Sequence, residues 1–131
     1  MDQLKAIIID DMRLIRTELK HLLSEYPDIK VVGEAANADT AVQLVFTLKP
    51  DVVFLDIYMP GQSGFEFLDN VKRDFNVIFI SSFYNKYSNE AQKYNPVDFL
   101  MKPINKQKLA KAVQKLYDIY HLQQNSENNI L

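Results

Sequence analysis

Residues 6–11 read Ala-Ile-Ile-Ile-Asp-Asp, and two later stretches follow the same plan: Val52-Val53-Phe54-Leu55-Asp56 and Val77-Ile78-Phe79-Ile80-Ser81-Ser82. Each opens with four apolar residues and ends on polar ones. None of the apolar runs shows the polar alternation of a half-exposed strand. Unbroken runs of this length fit strands buried on both faces, as in a parallel sheet covered by helices. Two weaker strands are expected at Ile29–Glu34 and Val97–Leu100.

Helical patterns fill the intervals. Met12–Tyr26 places Met12, Ile15, Leu19, Leu22 and Leu23 at helical spacing, and Pro27 ends it. Asp39–Leu48 is closed by Pro50, and Gly64–Phe75 carries Phe65, Phe67, Leu68 and Val71. Asn85–Tyr94 is more polar. Asn105–Leu122 has a clear apolar stripe, with Asn105 as the expected N-cap. The remainder, Gln123–Leu131, is polar and reads as a tail or the start of a linker, which leaves 1–122 as the folded domain.

Strand and helix therefore alternate five times. Alternation of this kind implies right-handed crossovers and a doubly wound (βα)5 parallel sheet with helices on both faces. Five strands favour the flavodoxin-like order 2-1-3-4-5, whose ligands bind beyond the carboxyl ends of strands 1 and 3.

Composition narrows the function. The chain has 131 residues, one domain's length, and 47% of them are hydrophobic. There is no cysteine, so there is no disulfide, thiolate metal site or thiol nucleophile. Lys+Arg is 15 against 17 Asp+Glu, a formal charge of -2 that argues against direct nucleic-acid binding by this segment. No apolar run nears the ~20 residues of a membrane span. The first residues also lack a secretory leader. A cytoplasmic location is expected.

Strand 1 ends in Asp10-Asp11 and strand 3 in Asp56. Neighbouring strands would bring these three carboxylates into one crevice. Clustered carboxylates repel one another. A hard divalent cation relieves that repulsion, and oxygen-only ligands suit Mg2+ rather than zinc. Strand 4 ends in Ser81-Ser82, and strand 5 leads to Lys102-Pro103. Acids with Mg2+, a hydroxyl and a lysine form a phosphoryl-transfer constellation, with Asp56 as the nucleophile. A flavin carrier would need a Ser/Thr/Gly-rich phosphate loop where Asp10-Asp11-Met12-Arg13 stands. A two-metal hydrolase would need a second acidic or histidine-containing cluster.

These motifs resemble the receiver domain of bacterial two-component response regulators, the CheY-like fold, over about residues 4–122. The resemblance rests on Ile7-Ile8-Ile9-Asp10-Asp11, on Asp56-Ile57-Tyr58-Met59-Pro60-Gly61-Gln62-Ser63-Gly64, on Phe79-Ile80-Ser81-Ser82 and on Asp98-Phe99-Leu100-Met101-Lys102-Pro103. It implies that Asp56 is the phosphoacceptor, and that Asp10, Asp11, Asp56 and the Tyr58 carbonyl hold Mg2+. It implies that Lys102 is the active-site lysine, that the Lys102–Pro103 peptide is cis and that Phe99 is the switch aromatic. The run Tyr84-Asn85-Lys86-Tyr87 is most similar to receivers of the LytTR-type branch. That register makes Ser82 the switch hydroxyl, with Ser81 the alternative because it directly follows the apolar run. The chain departs from the family at Phe83, where a small residue is usual. A ring there is expected to restrict a phosphodonor's access.

The implied partner is a sensor histidine kinase or phosphotransfer protein. The domain would be a signalling switch rather than an enzyme. Its output face would be formed by the fourth helix, fifth strand and fifth helix, the same face that would form a homodimer. Any DNA binding is expected of an output domain beyond the C-terminus rather than of this domain. The competing reading is a pseudo-receiver, an interaction module indifferent to phosphate.

Overall fold

The computed structural model describes residues 3–128, with side chains through Tyr120. The strands are β1 (Leu4–Ile9), β2 (Ile29–Ala35), β3 (Val52–Asp56), β4 (Asn76–Ser81) and β5 (Asp98–Met101). Between and after them run α1 (Arg13–Leu23), α2 (Ala38–Leu48), α3 (Gly64–Asp69), α4 (Tyr84–Gln92) and α5 (Lys106–Asn128). All strand pairs are parallel, in the order β2-β1-β3-β4-β5. The order expected from the alternation is the order found.

Side chains alternate across a strand, so the apolar runs feed two cores. Ile7, Ile9, Val53, Leu55, Val77 and Phe79 join Ala41 and Val45 of α2, Phe65 and Phe67 of α3 and Ala91 of α4. Ala6, Ile8, Val52, Phe54, Ile78, Ile80 and Leu100 join Leu19 and Leu23 of α1 and Leu109, Ala112, Val113 and Leu116 of α5. Burial on both faces is why these strands carry no polar alternation.

Two helices differ from their sequence patterns. The apolar spacing predicted Gly64–Phe75, yet α3 ends at Asp69. The chain beyond it must turn into β4, and Arg73 fixes that turn by donating to the carbonyls of Phe75, Tyr94 and Asn95. Side-chain bonds to the backbone thus replace further helical turns. At the other end, α5 starts where expected, with Asn105 Oδ1 accepting from the amides of Gln107 (2.7 Å) and Lys108 (3.2 Å). It then runs on through Asn128, into the segment expected as a polar tail. No Gly or Pro follows Pro103 to stop it. Residues 129–131 of that tail lie outside the described residues.

Candidate functional site

Both sheet faces end in apolar layers, but one step further along β1 and β3 the side chains are acidic. Asp10 follows Ile8, and Asp56 follows Phe54, on the face covered by α1 and α5. Asp10 is fully buried and Asp56 nearly so, whereas Asp11 is exposed. One carboxylate oxygen from each of Asp10, Asp11 and Asp56 lies within 4.8 Å of the other two. Among the described residues no other acidic or histidine cluster of this kind occurs.

The cation of the site comes from β5. Register pairs Ser81 with Met101, and the Lys102 amide donates to Ser81 O at 2.9 Å. Lys102 therefore leaves the sheet at the same level as the acids. Its Nζ lies 2.8 Å from Asp10 Oδ2 and 3.4 Å from Asp56 Oδ2. The peptide that follows, Lys102–Pro103, is cis as the resemblance implied.

One lysine does not balance three carboxylates. Asp10 Oδ1 accepts from the Met12 amide at 2.8 Å, while Asp10 Oδ2 and Asp56 Oδ2 are buried and share the single Lys102 ammonium. Burial first, and then the charge of Asp10, push the Asp56 carboxyl up from 3.8 to about 7, against the pull of Lys102. Clustered carboxylates that share one ammonium remain short of positive charge, and a further cation relieves that shortfall. All available donors are oxygens, the set a hard divalent ion such as Mg2+ prefers. The residues present fit that ion.

The start of α3 is built tightly against Asp56. Ser63 and Glu66 form a capping box, and the Gly64 amide donates to Ile57 O at 2.8 Å. A Cβ on Gly64 would collide with the Asp56 carbonyl oxygen and stand 3.1 Å from Ile57 Cα. The glycine is what lets this loop close over the end of β3.

The two serines at the end of β4 part company. Ser81 continues the series Val77, Phe79; it is buried, and its Oγ accepts from the Phe83 amide at 2.9 Å. Ser82 is exposed and is next in the alternation after Ile78 and Ile80, the series on the side of Asp56. Tyr58 is 61% exposed. It meets Phe83, 51% exposed, edge to face at 6.4 Å. Phe99 is apart from the carboxylates. It is half-buried with Phe79 at 6.4 Å and has Tyr84 edge-on at 5.1 Å. A cavity of about 560 Å³ lies beside it, lined in part by Tyr84, Met101, Lys108, Lys111 and Lys115.

The sequence reading missed Arg16. Its guanidinium donates to Asp10 O at 2.7 Å and pairs with Glu34 at 2.7 Å. The available signal was a basic residue one turn beyond the Met12 N-cap, on the helix that leaves the acid pair.

Five parallel strands with acids at the ends of β1 and β3 and a lysine at the end of β5 define a flavodoxin-like α/β domain with an acidic cluster at its topological switch point. Residues 6–114 match the response regulator receiver domain family, and the chain belongs to it. It is 44% identical over 115 residues to an uncharacterized response regulatory protein of Vibrio cholerae, covering 86% of this chain and 48% of that one. It is 40% identical over 116 residues to the transcriptional regulatory protein BtsR of Salmonella typhi, again covering 86% of this chain and 48% of the relative. The chain thus spans about half the length of these relatives. Among solved structures, the REC domain of AraT, a response regulator from Geobacillus stearothermophilus, matches with a TM-score of 0.82 at 27% identity, covering 92% of this chain and 98% of that one. No helix among the described residues is long and apolar enough to cross a membrane.

Proposed function

We propose that this receiver domain accepts a phosphoryl group on Asp56 from the phosphohistidine of a sensor kinase or phosphotransfer protein. The observation that carries the reading is the buried Asp56 carboxylate beside Asp10, with Lys102 Nζ within ion-pair distance of both. In the transfer an Asp56 oxygen attacks phosphorus, a P–O bond forms, the P–N bond breaks and the imidazole leaves with the bonding pair. Asp10, Asp11, Asp56 and the Tyr58 carbonyl would hold Mg2+, which offsets charge on the phosphoryl oxygens. Lys102 supplies a second positive charge at the same oxygens. Ser82, exposed and on the Asp56 side of β4, is the hydroxyl that donates to the product.

The acyl phosphate adds roughly -1.5 to -2 of charge. Drawing Ser82 inward leaves space that Phe99 fills by rotating away from Tyr84, which remodels the α4–β5–α5 face. A shift from 1:99 to 99:1 needs a preference of ~5.5 kcal/mol for the active state. A few charge-assisted hydrogen bonds supply much of it. That face serves an output domain, a partner or a second copy of the chain.

The finer assignment to the LytTR-type branch is supported by the unbroken spacing from Tyr84-Asn85-Lys86-Tyr87 to Lys102. The relatives' greater length and the name of BtsR favour a transcriptional output domain in the whole protein. Such a system places the chain in the cytoplasm and makes it a switch rather than a turnover enzyme.

Incubation with acetyl phosphate or beryllofluoride, with and without Mg2+, tests the reading by mass and by fluorescence. The expected result is a Mg2+-dependent adduct that Asp56→Asn abolishes. An unmodified wild-type protein under these conditions would leave the phosphate-independent module in its place.

A further inference from the structure

Asp10 is held from several sides, one of them the carbonyl of the peptide that joins it to Asp11. That carbonyl, Asp10 O, accepts from Arg16 Nη1 at 2.7 Å. The Asp10 amide donates to Ala35 O of β2 at 3.0 Å, and Asp10 Oδ1 accepts from the Met12 amide at 2.8 Å. Arg16 is itself fixed, because its Nε donates to Glu34 Oε1 at 2.7 Å. Lys20 takes the other oxygen of Glu34 at 2.5 Å. The Arg16 side chain is only 13% exposed. A guanidinium presents several donors in a rigid plane, so one group can serve a carbonyl and a carboxylate at once.

The orientation of that carbonyl sets the direction in which the chain leaves Asp10, and hence where the Asp11 carboxylate stands relative to Asp10 and Asp56. Arg16 reaches the acids through the neutral Asp10 carbonyl, while its ion pair is with Glu34, so its contribution at the acids is taken as orientational.

We propose that Arg16 is a positioning residue that sets the Asp10–Asp11 peptide for divalent-cation binding. This rests on reading Asp10, Asp11 and Asp56 as the Mg2+ ligands. Groups that orient metal ligands typically cost 10–100-fold in affinity when removed. Arg16→Met is therefore expected to weaken Mg2+ binding about tenfold. Glu34→Gln keeps an acceptor for Arg16 and leaves the Arg16 contact with Asp10 in place, so it should weaken binding by less than about threefold.

The experiment titrates each protein with Mg2+ by calorimetry and by the amide NMR shifts of residues 10 and 11, with urea unfolding of the metal-free proteins alongside. Arg16→Met weaker by about tenfold, with Glu34→Gln near wild type at comparable stability, supports the proposal. Equal affinities for Arg16→Met and wild type overturn it. Losses in both variants that simply track their stabilities overturn it too, because they mark an α1–β2 tie and nothing more. Should Arg16→Met not fold, Arg16→Lys carries the test. Its single ammonium cannot reproduce the two-pronged contact, and wild-type affinity in that variant refutes the role. A wild-type protein that ignores Mg2+ overturns the ligand assignment itself, a different failure from the first two.

Discussion

Replacing Asp56 by Asn should make the metal-free protein more stable, although it destroys the proposed acceptor. Asp56 is buried beside Asp10, and the Lys102 ammonium near it lies closer to Asp10 (2.8 Å) than to Asp56 (3.4 Å). Its carboxyl is raised from 3.8 to about 7, burial being the largest cause. At 1.36 kcal/mol per unit, a rise of that size costs ~4 kcal/mol in a fully shielded site. Asp11 is exposed, so solvent reaches the mouth of the site and screens the charges. The expected gain is therefore ~1–3 kcal/mol at neutral to mildly alkaline pH.

The pH dependence has a fixed sign. A carboxyl raised on folding binds more protons in the native state between the two pKa values, so wild-type stability falls as pH rises from about 4 to about 7. The Asn variant lacks that fall. Urea unfolding in chelator at about pH 5 and about pH 8 reads the difference, which should be larger at the higher pH. Added Mg2+ should stabilise the wild type more than the variant. An Asp56→Asn protein less stable than wild type at the higher pH without metal would refute the electrostatic account of the site.

Gly64→Ala should cost ~1–3 kcal/mol, as overpacking does. Because the obstructed atom is the Asp56 carbonyl oxygen, it should also lower adduct yield with beryllofluoride at saturating Mg2+, read by mass. Phe83→Ala removes the ring that meets Tyr58 edge to face. Labelling of Asp56 by acetyl phosphate should speed up several-fold, with little change in urea midpoint because Phe83 is half exposed. Tyr94 is pushed up from 10 to about 12, mainly by burial and then by its hydrogen bond to Asp69. Its contribution is complete below pH ~10 and is lost as pH climbs toward ~12. Tyr94→Phe should flatten that alkaline decline, and ultraviolet titration should lose its most reluctant tyrosine.

The strands were legible because burial on both faces leaves a signature that survives without alternation, as in Ile7-Ile8-Ile9 and Val52-Val53-Phe54-Leu55. The acids and Lys102 were legible for a related reason: each stands where an apolar run stops, and the topology carries those stops to one edge. The ends of α3 and α5 were not. Val71 and Phe75 continue the helical spacing of Phe65 and Phe67, and only the distant carbonyls of Tyr94 and Asn95 give Arg73 cause to stop the helix. Polar residues after Leu122 resemble a linker, but Gln and Glu extend a helix as readily as they leave it. Arg16 was invisible because an arginine on an amphipathic helix looks solvated until β2 brings Glu34 beside it. The LytTR-type spacing around Tyr84 is a pattern of sequence that the fold itself does not distinguish.

Asp10 and Asp11 come from the first strand, Asp56 from the middle strand and Lys102 from the exit of the last. During synthesis the acids leave the ribosome long before the lysine that pairs with two of them. An unfinished chain holding only the first three strands has the carboxylates and their mutual repulsion, without the ammonium. The acidic cluster therefore lacks its pairing ammonium until the fifth strand has been made, and a product that ends before β5 holds the three carboxylates with Lys102 missing from beside them.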